Sequence, residues 1–223
     1  HEMLFDAHTR SFQALGGGST KAGAAGTVYL ARTGQAPGCG TLIVDASNKV
    51  SATAYPVTLI NSNVMDTVVG TVVITNKAIL VIDTNQSLTV NGSWSNAASF
   101  IACSNSTVTL ASTNAATIRG TNTFYNLTAG APGKTIRFEA GKTNTVQKAL
   151  VFQNGSTLLS SVDGMQWWLI LANPGGTQQV GRVTVKDSNA GSGQTIYAGP
   201  SSVNLRNNVN WVFASGGSVF VVH

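Results

Sequence analysis

The chain has 223 residues and is 43% hydrophobic but only 9% charged, with a formal net charge of +5. An ordinary globular domain carries about 25% charged residues, so Ser, Thr, Asn and Gly must do the solvating here. That balance argues against a helical surface laced with ion pairs, and the recurring apolar runs argue against disorder. One all-β domain covering residues 1–223 is the default at this size.

In chain order, Gly16-Gly-Gly-Ser-Thr20 and Gly23-Ala-Ala-Gly26 follow a stretch from His1 to Leu15 that is too interrupted to read as an amphipathic helix. Residues 1–25 read as an N-terminal cap. The glycines lack the GxxxxGK[ST] spacing of a phosphate loop, and the strand Thr27–Leu30 follows them rather than a helix. From there one phrase recurs: Thr41-Leu-Ile-Val-Asp45, Thr58-Leu-Ile-Asn61, Thr71-Val-Val-Ile-Thr75, Ser87-Leu-Thr-Val90, Thr107-Val-Thr-Leu110, Thr135-Ile-Arg-Phe138, Ala149-Leu-Val-Phe152, Trp167-Trp-Leu-Ile-Leu171, Arg182-Val-Thr-Val-Lys186 and Asn210-Trp-Val-Phe213. Each run is short, β-branched and bounded by Gly, Asn, Ser or Asp, the signature of strands and their turns. Starts separated by about 13 to 20 residues point to a solenoid.

Several runs hold three or four successive aliphatics, as in Leu42-Ile-Val44 and Ile79-Leu-Val-Ile82. Short strands that bend at corners around a narrow apolar interior give that pattern. The predicted fold is a right-handed parallel β-helix; the competing architecture is an antiparallel β-sandwich. At about 20 residues per coil the chain would make roughly 10 or 11 coils and a rod near ~50 Å long. Ile43, Val73, Leu88, Val108, Ile136, Val151, Leu169 and Val185, or their immediate neighbours, should line the interior. Residues 200–223 read as a terminal coil or cap.

Val183-Thr-Val-Lys-Asp-Ser-Asn-Ala190, Thr195-Ile-Tyr-Ala-Gly199 and Asn207-Asn-Val-Asn-Trp-Val-Phe213, with the glycine-rich coil before Thr27-Val-Tyr-Leu30, carry a resemblance. They resemble coils of the right-handed β-helix segments in large bacterial surface proteins of the filamentous-haemagglutinin and autotransporter-passenger kind. The resemblance covers about a quarter of the chain. It implies an extracellular or cell-surface location, a structural or adhesive role, and no catalytic residues to carry over.

β-Helices also host polysaccharide lyases and hydrolases, and glycoside hydrolysis needs two carboxyls about 5 to 10 Å apart. The acids are Glu2, Asp6, Asp45, Asp66, Asp83, Glu139, Asp163 and Asp187. Asp45, Asp66 and Asp83 are spaced near one coil and form the alternative acidic site; the competing reading is that each acid ends a strand and bonds turn amides. His1, His8 and His223 sit at the chain ends, where a catalytic imidazole is seldom held. No metal-ligand spacing or cofactor motif is legible, so the expectation is no cofactor and no metal. Cys39 and Cys103 lie coils apart and read as free thiols.

Trp167 and Trp168 are neighbours on a strand, so one fills the interior and the other points out. Trp168 is the candidate binding residue, able to stack on a sugar or anchor a partner. Basic residues are spread along the chain, densest at Lys134, Arg137, Lys142 and Lys148, without the focused basic-aromatic element of a nucleic-acid module. No run reaches the ~18 apolar residues of a membrane span. The expected partners are polysaccharide or cell-surface molecules, with self-association through open solenoid ends. A carbohydrate-active enzyme and a carbohydrate-binding module are the alternatives.

Overall fold

The computed structural model describes residues 25–48 and 57–214. Among them every regular element is a strand. The strands stack as a parallel β-solenoid of about 7 turns. Among the named strand pairs one is antiparallel, Thr27–Leu30 on Thr41–Asp45; a sandwich is therefore ruled out.

Each turn visits three faces. The first face stacks Thr41–Asp45, Thr71–Thr75, Trp94–Asn96, Ala116–Arg119, Thr135–Phe138, Thr157–Ser160, Thr184–Val185 and Val203–Asn204 in order, with Thr27–Leu30 along its N-terminal edge. The second begins with Thr58–Ile60, Ile79–Ile82 and Ser99–Ala102 and continues through the first halves of Asn122–Ala129 and Thr143–Phe152 to Trp167–Leu171 and Ser188–Asn189. The third runs from Val68–Val69 through Ser87–Val90, Thr107–Leu110 and the second halves of the same two long strands to Thr177–Val180, Ile196–Ala198 and Trp211–Phe213. The two long strands thus turn a corner without a loop, and in the earlier one the register shifts between Phe124 and Asn126 at that corner.

The coils are longer than predicted. Thr41 pairs with Thr71 and Thr135 with Thr157. On the first face, Thr41 to Val203 takes seven steps. At about 4.8 Å per step that stack of described rungs is roughly 34 Å tall. The corners lengthen the coils: segments such as Asn61–Thr67 and Ser161–Gln166 add residues without adding a rung.

Burial confirms the interior and corrects its parity in places. Leu88, Val108, Ile136, Leu169 and Val185 are buried as expected. Ile43, Val73 and Val151 are half-buried on the outer side, and their neighbours Val44, Val72, Ile74, Leu150 and Phe152 point inward. A run of three aliphatics does not reveal its own phase, and a one-residue slip exchanges the faces. Two aromatic groups thicken the core. Trp94 meets Phe100 and Phe124 edge-on at ring separations of 4.7 and 5.6 Å. Phe138 and Trp167 stack at 3.8 Å.

The corners turn through left-handed residues, many of them Asn: Asn76, Asn85, Asn105, Asn154, Asn207 and Asn210 all have φ between 52° and 60°. Asn tolerates that region because its short side chain bonds locally. Asn105 Nδ2 donates to Asn85 Oδ1 one coil away at 2.7 Å, tying successive corners together. Gly120 is required for two reasons: its φ is +79°, and a Cβ there would lie 1.8 Å from the Asn96 carbonyl oxygen.

The proposed cap, residues 1–25, lies outside the described residues apart from Ala25. Within 200–223 the described part continues the stack with Val203–Asn204 and Trp211–Phe213. Cys39 and Cys103 are free and half-buried.

Candidate binding surface

The alternation along Trp167–Leu171 buries Trp167, Leu169 and Leu171 completely. Trp168 and Ile170 are half-buried on the outer side of the second face. Trp168 stands in register between Thr143 on the coil before and Asn189 on the coil after. Met165, two residues before Trp167, precedes the strand and is exposed; the corner at Ser161–Gln166 takes it out of phase.

An amide network flanks this tryptophan. Asn189 Nδ2 donates to Gln166 Oε1 at 2.9 Å, and Gln166 Nε2 donates to the Asn207 carbonyl at 3.1 Å. Asn207 Nδ2 donates to Asp187 Oδ1 at 2.7 Å, while Gly164 N donates to Asp187 Oδ2 at 3.0 Å. Asp187 is buried and its carboxylate is committed to holding the corner.

The acids of the alternative site make turn contacts. Asp45 Oδ1 accepts from Ser47 N and Asn76 Nδ2, at 2.6 and 2.9 Å. Asp66 Oδ1 accepts from Val68 N at 3.0 Å and Asp83 Oδ1 from Thr84 N at 2.7 Å. Asp45 lies between the first and second faces, whereas Asp66 and Asp83 lie between the second and third. Among the described residues no three of His, Cys, Asp and Glu gather as a metal site. His1, His8, His223, Glu2 and Asp6 lie outside the described residues.

The fold disperses the basic stretch that looked densest in the sequence. Lys134 is completely buried where the third face turns into the first, its Nζ donating to the carbonyls of Ser112 and Asn114 at 2.6 and 3.0 Å. Burial disfavours its charged form and lowers its pKa. Lys148 Nζ donates to the Gly175 carbonyl at 3.0 Å on another edge. Arg137 points outward on the first face, and Lys142 is exposed at the corner between the first and second faces. Lys186 pairs with Asp163 at that same corner, which holds the Asp163 carboxyl below its ordinary range, first by the hydrogen bond and then by charge.

The buried lysine gives a pH prediction. Between its lowered pKa and the ordinary 10.5, the unfolded chain binds more protons than the folded one. Stability therefore rises with pH across that window. Urea unfolding of wild type and Lys134→Met, from neutral to alkaline pH, should show the wild type gaining stability relative to the variant. Parallel curves would mean the ammonium is not desolvated.

Sequence reasoning missed the interior polar column. Asn96, Asn122 and Asn144 are buried one above another: Asn96 Nδ2 donates to Asn122 Oδ1 at 3.1 Å, and Asn122 Nδ2 to Asn144 Oδ1 at 2.9 Å. Trp94 Nε1 donates to the same Asn122 oxygen at 2.8 Å. The recurrence of Asn at about one coil's spacing was the signal available for it. No protein-family description matches the chain, and comparison with curated proteins and with solved structures finds nothing similar.

Proposed function

We propose that this chain is a structural or adhesive segment of a bacterial extracellular or surface protein, working through its outer faces rather than through a reactive site. The observation that carries the reading is the uninterrupted stack of parallel rungs whose corner acids Asp45, Asp66, Asp83 and Asp187 are spent on turn amides and side-chain amides. The low charge and the resemblance of the C-terminal coils to bacterial surface solenoids support the location. Trp168, half-buried on the outside beside the hydroxyl of Thr143 and the amide of Asn189, is the side chain best placed for a partner. Aromatic planes and amide groups suit sugars, which present an apolar ring face edged by hydroxyls.

The test is a panel of cell-wall and plant polysaccharides assayed for both retention and chain cleavage. Retention without cleavage is expected, and Trp168→Ala should weaken it about tenfold with the melting temperature unchanged. Cleavage that is abolished by Asp45→Asn, Asp66→Asn or Asp83→Asn would replace this reading with a carbohydrate-active enzyme. Sedimentation of the same samples checks end-to-end association, the route by which an open sheet edge would recruit a further copy.

A further inference from the structure

We infer that the corner between the first and second faces is a docking surface for an acidic polysaccharide, one bearing carboxylates along a sugar backbone. This rests on the adhesive reading above and names the class of partner. Arg119, Arg137 and Lys142 are all exposed and occupy two adjacent coils. Adjacent coils are only about 4.8 Å apart, so the three cations form one local field. Among the described residues the one ion pair is Lys186–Asp163, so none of the three cations has a carboxylate partner there. The acid in their midst is Glu139, one residue beyond the register pair Ile118 and Phe138. Its Oε2 accepts from Gly120 N at 2.7 Å, so its carboxylate is turned into the backbone of the corner.

The cations lead to the tryptophan. Lys142 N donates to the Glu139 carbonyl at 3.2 Å, folding the turn back, and the Lys142 carbonyl accepts from Trp168 N at 3.0 Å. A chain crossing this corner would meet guanidinium and ammonium groups at one end and an indole flanked by Thr143 and Asn189 at the other. Arginine forks match carboxylates in a bidentate way, and the indole offers a platform for a ring. Charge complementarity selects a polyanion. A single outward tryptophan among hydroxyl and amide groups favours a sugar polymer over a nucleic acid, whose single strands are held by rows of aromatic side chains.

The probes are oligogalacturonate, its fully methyl-esterified counterpart, and single-stranded DNA of equal charge. Binding is measured by calorimetry at low and at physiological salt. Oligogalacturonate should bind, weaken as salt rises, and bind about tenfold or more tightly than the neutral ester. The triple variant Arg119→Glu, Arg137→Glu, Lys142→Glu should lose that binding at an unchanged melting temperature, and Trp168→Ala should weaken it without altering its salt dependence. Equal binding of the ester, undiminished binding by the triple variant, or tighter binding of the DNA would each overturn the inference. If the triple variant unfolds, the single substitution Lys142→Gln, in an exposed turn, decides the matter by the same loss or retention. Cleavage of any probe would instead defeat the adhesive reading itself, while failure to bind without cleavage would defeat only the acidic partner.

Discussion

Replacing Asn122 with Ala should lower the unfolding free energy by at least about 3 kcal/mol, although the residue is polar and small. Its side chain is buried at the centre of five hydrogen bonds. The oxygen accepts from Trp94 Nε1 and Asn96 Nδ2, and the nitrogen donates to Asn144 Oδ1 and to the carbonyls of Arg119 and Gly120. Truncation strips the partner from the indole N–H and from the Asn144 oxygen at once. Each buried polar group left alone costs about 1–3 kcal/mol. The Asn144 nitrogen already lacks a partner, so the column has no slack at that end. Urea unfolding followed by tryptophan fluorescence measures the loss. Converting both Asn122 and Asn144 to Leu removes the orphaned groups on that side and should cost less than the single truncation, because an apolar pair needs no hydrogen bonds. A single-variant loss below about 1 kcal/mol would mean that water replaces the missing amide.

The solenoid was legible because its evidence is periodic: the Thr-led phrases at 41 and 71 pair in register on one face, where the phrase at 135 stacks on Thr157–Ser160. The phase of individual strands was less so. At Leu42-Ile-Val44 and Leu150-Val-Phe152 every residue is apolar, and only the contacts of the stacked coil decide which ones turn inward. Coil length was less legible, because among the described residues the corners add residues that do not show in the strand phrases. Alternation at Trp167-Trp168 set one ring inside and one outside, and in the structure Trp167 is the buried one and Trp168 lies half-buried on the outer side. The basic corner was not legible at all. Arg119 and Lys142 lie outside the strand phrases, and only the fold returns the chain to the same edge on successive coils, whereas Lys134, close to Arg137 in sequence, disappears into the interior. Surface charge in a solenoid is arranged by coil spacing, so a sequence window of ten residues samples three unrelated surfaces.

Trp167→Ala should cost about 3–5 kcal/mol, and the damage should stay local. The indole is fully buried, lies flat on the Phe138 ring at 3.8 Å, and donates through Nε1 to the Lys186 carbonyl at 3.1 Å. Truncation therefore opens a cavity spanning the first and second faces and unpairs a carbonyl in the following coil. A loss of this size is a large part of the 5–15 kcal/mol that holds a typical domain together. In a compact globule it would be felt everywhere. Here each coil touches only its neighbours, so stability is close to a sum of coil and interface terms. Hydrogen exchange should show protection falling in Thr135–Phe138, Trp167–Leu171 and Thr184–Val185, while Thr71–Thr75 and Ser87–Val90, several coils away, keep theirs. A uniform loss across all rungs would show that the stack unfolds as one cooperative unit, and that the aromatic groups at Trp94 and Trp167 couple the two ends more strongly than nearest-neighbour packing allows.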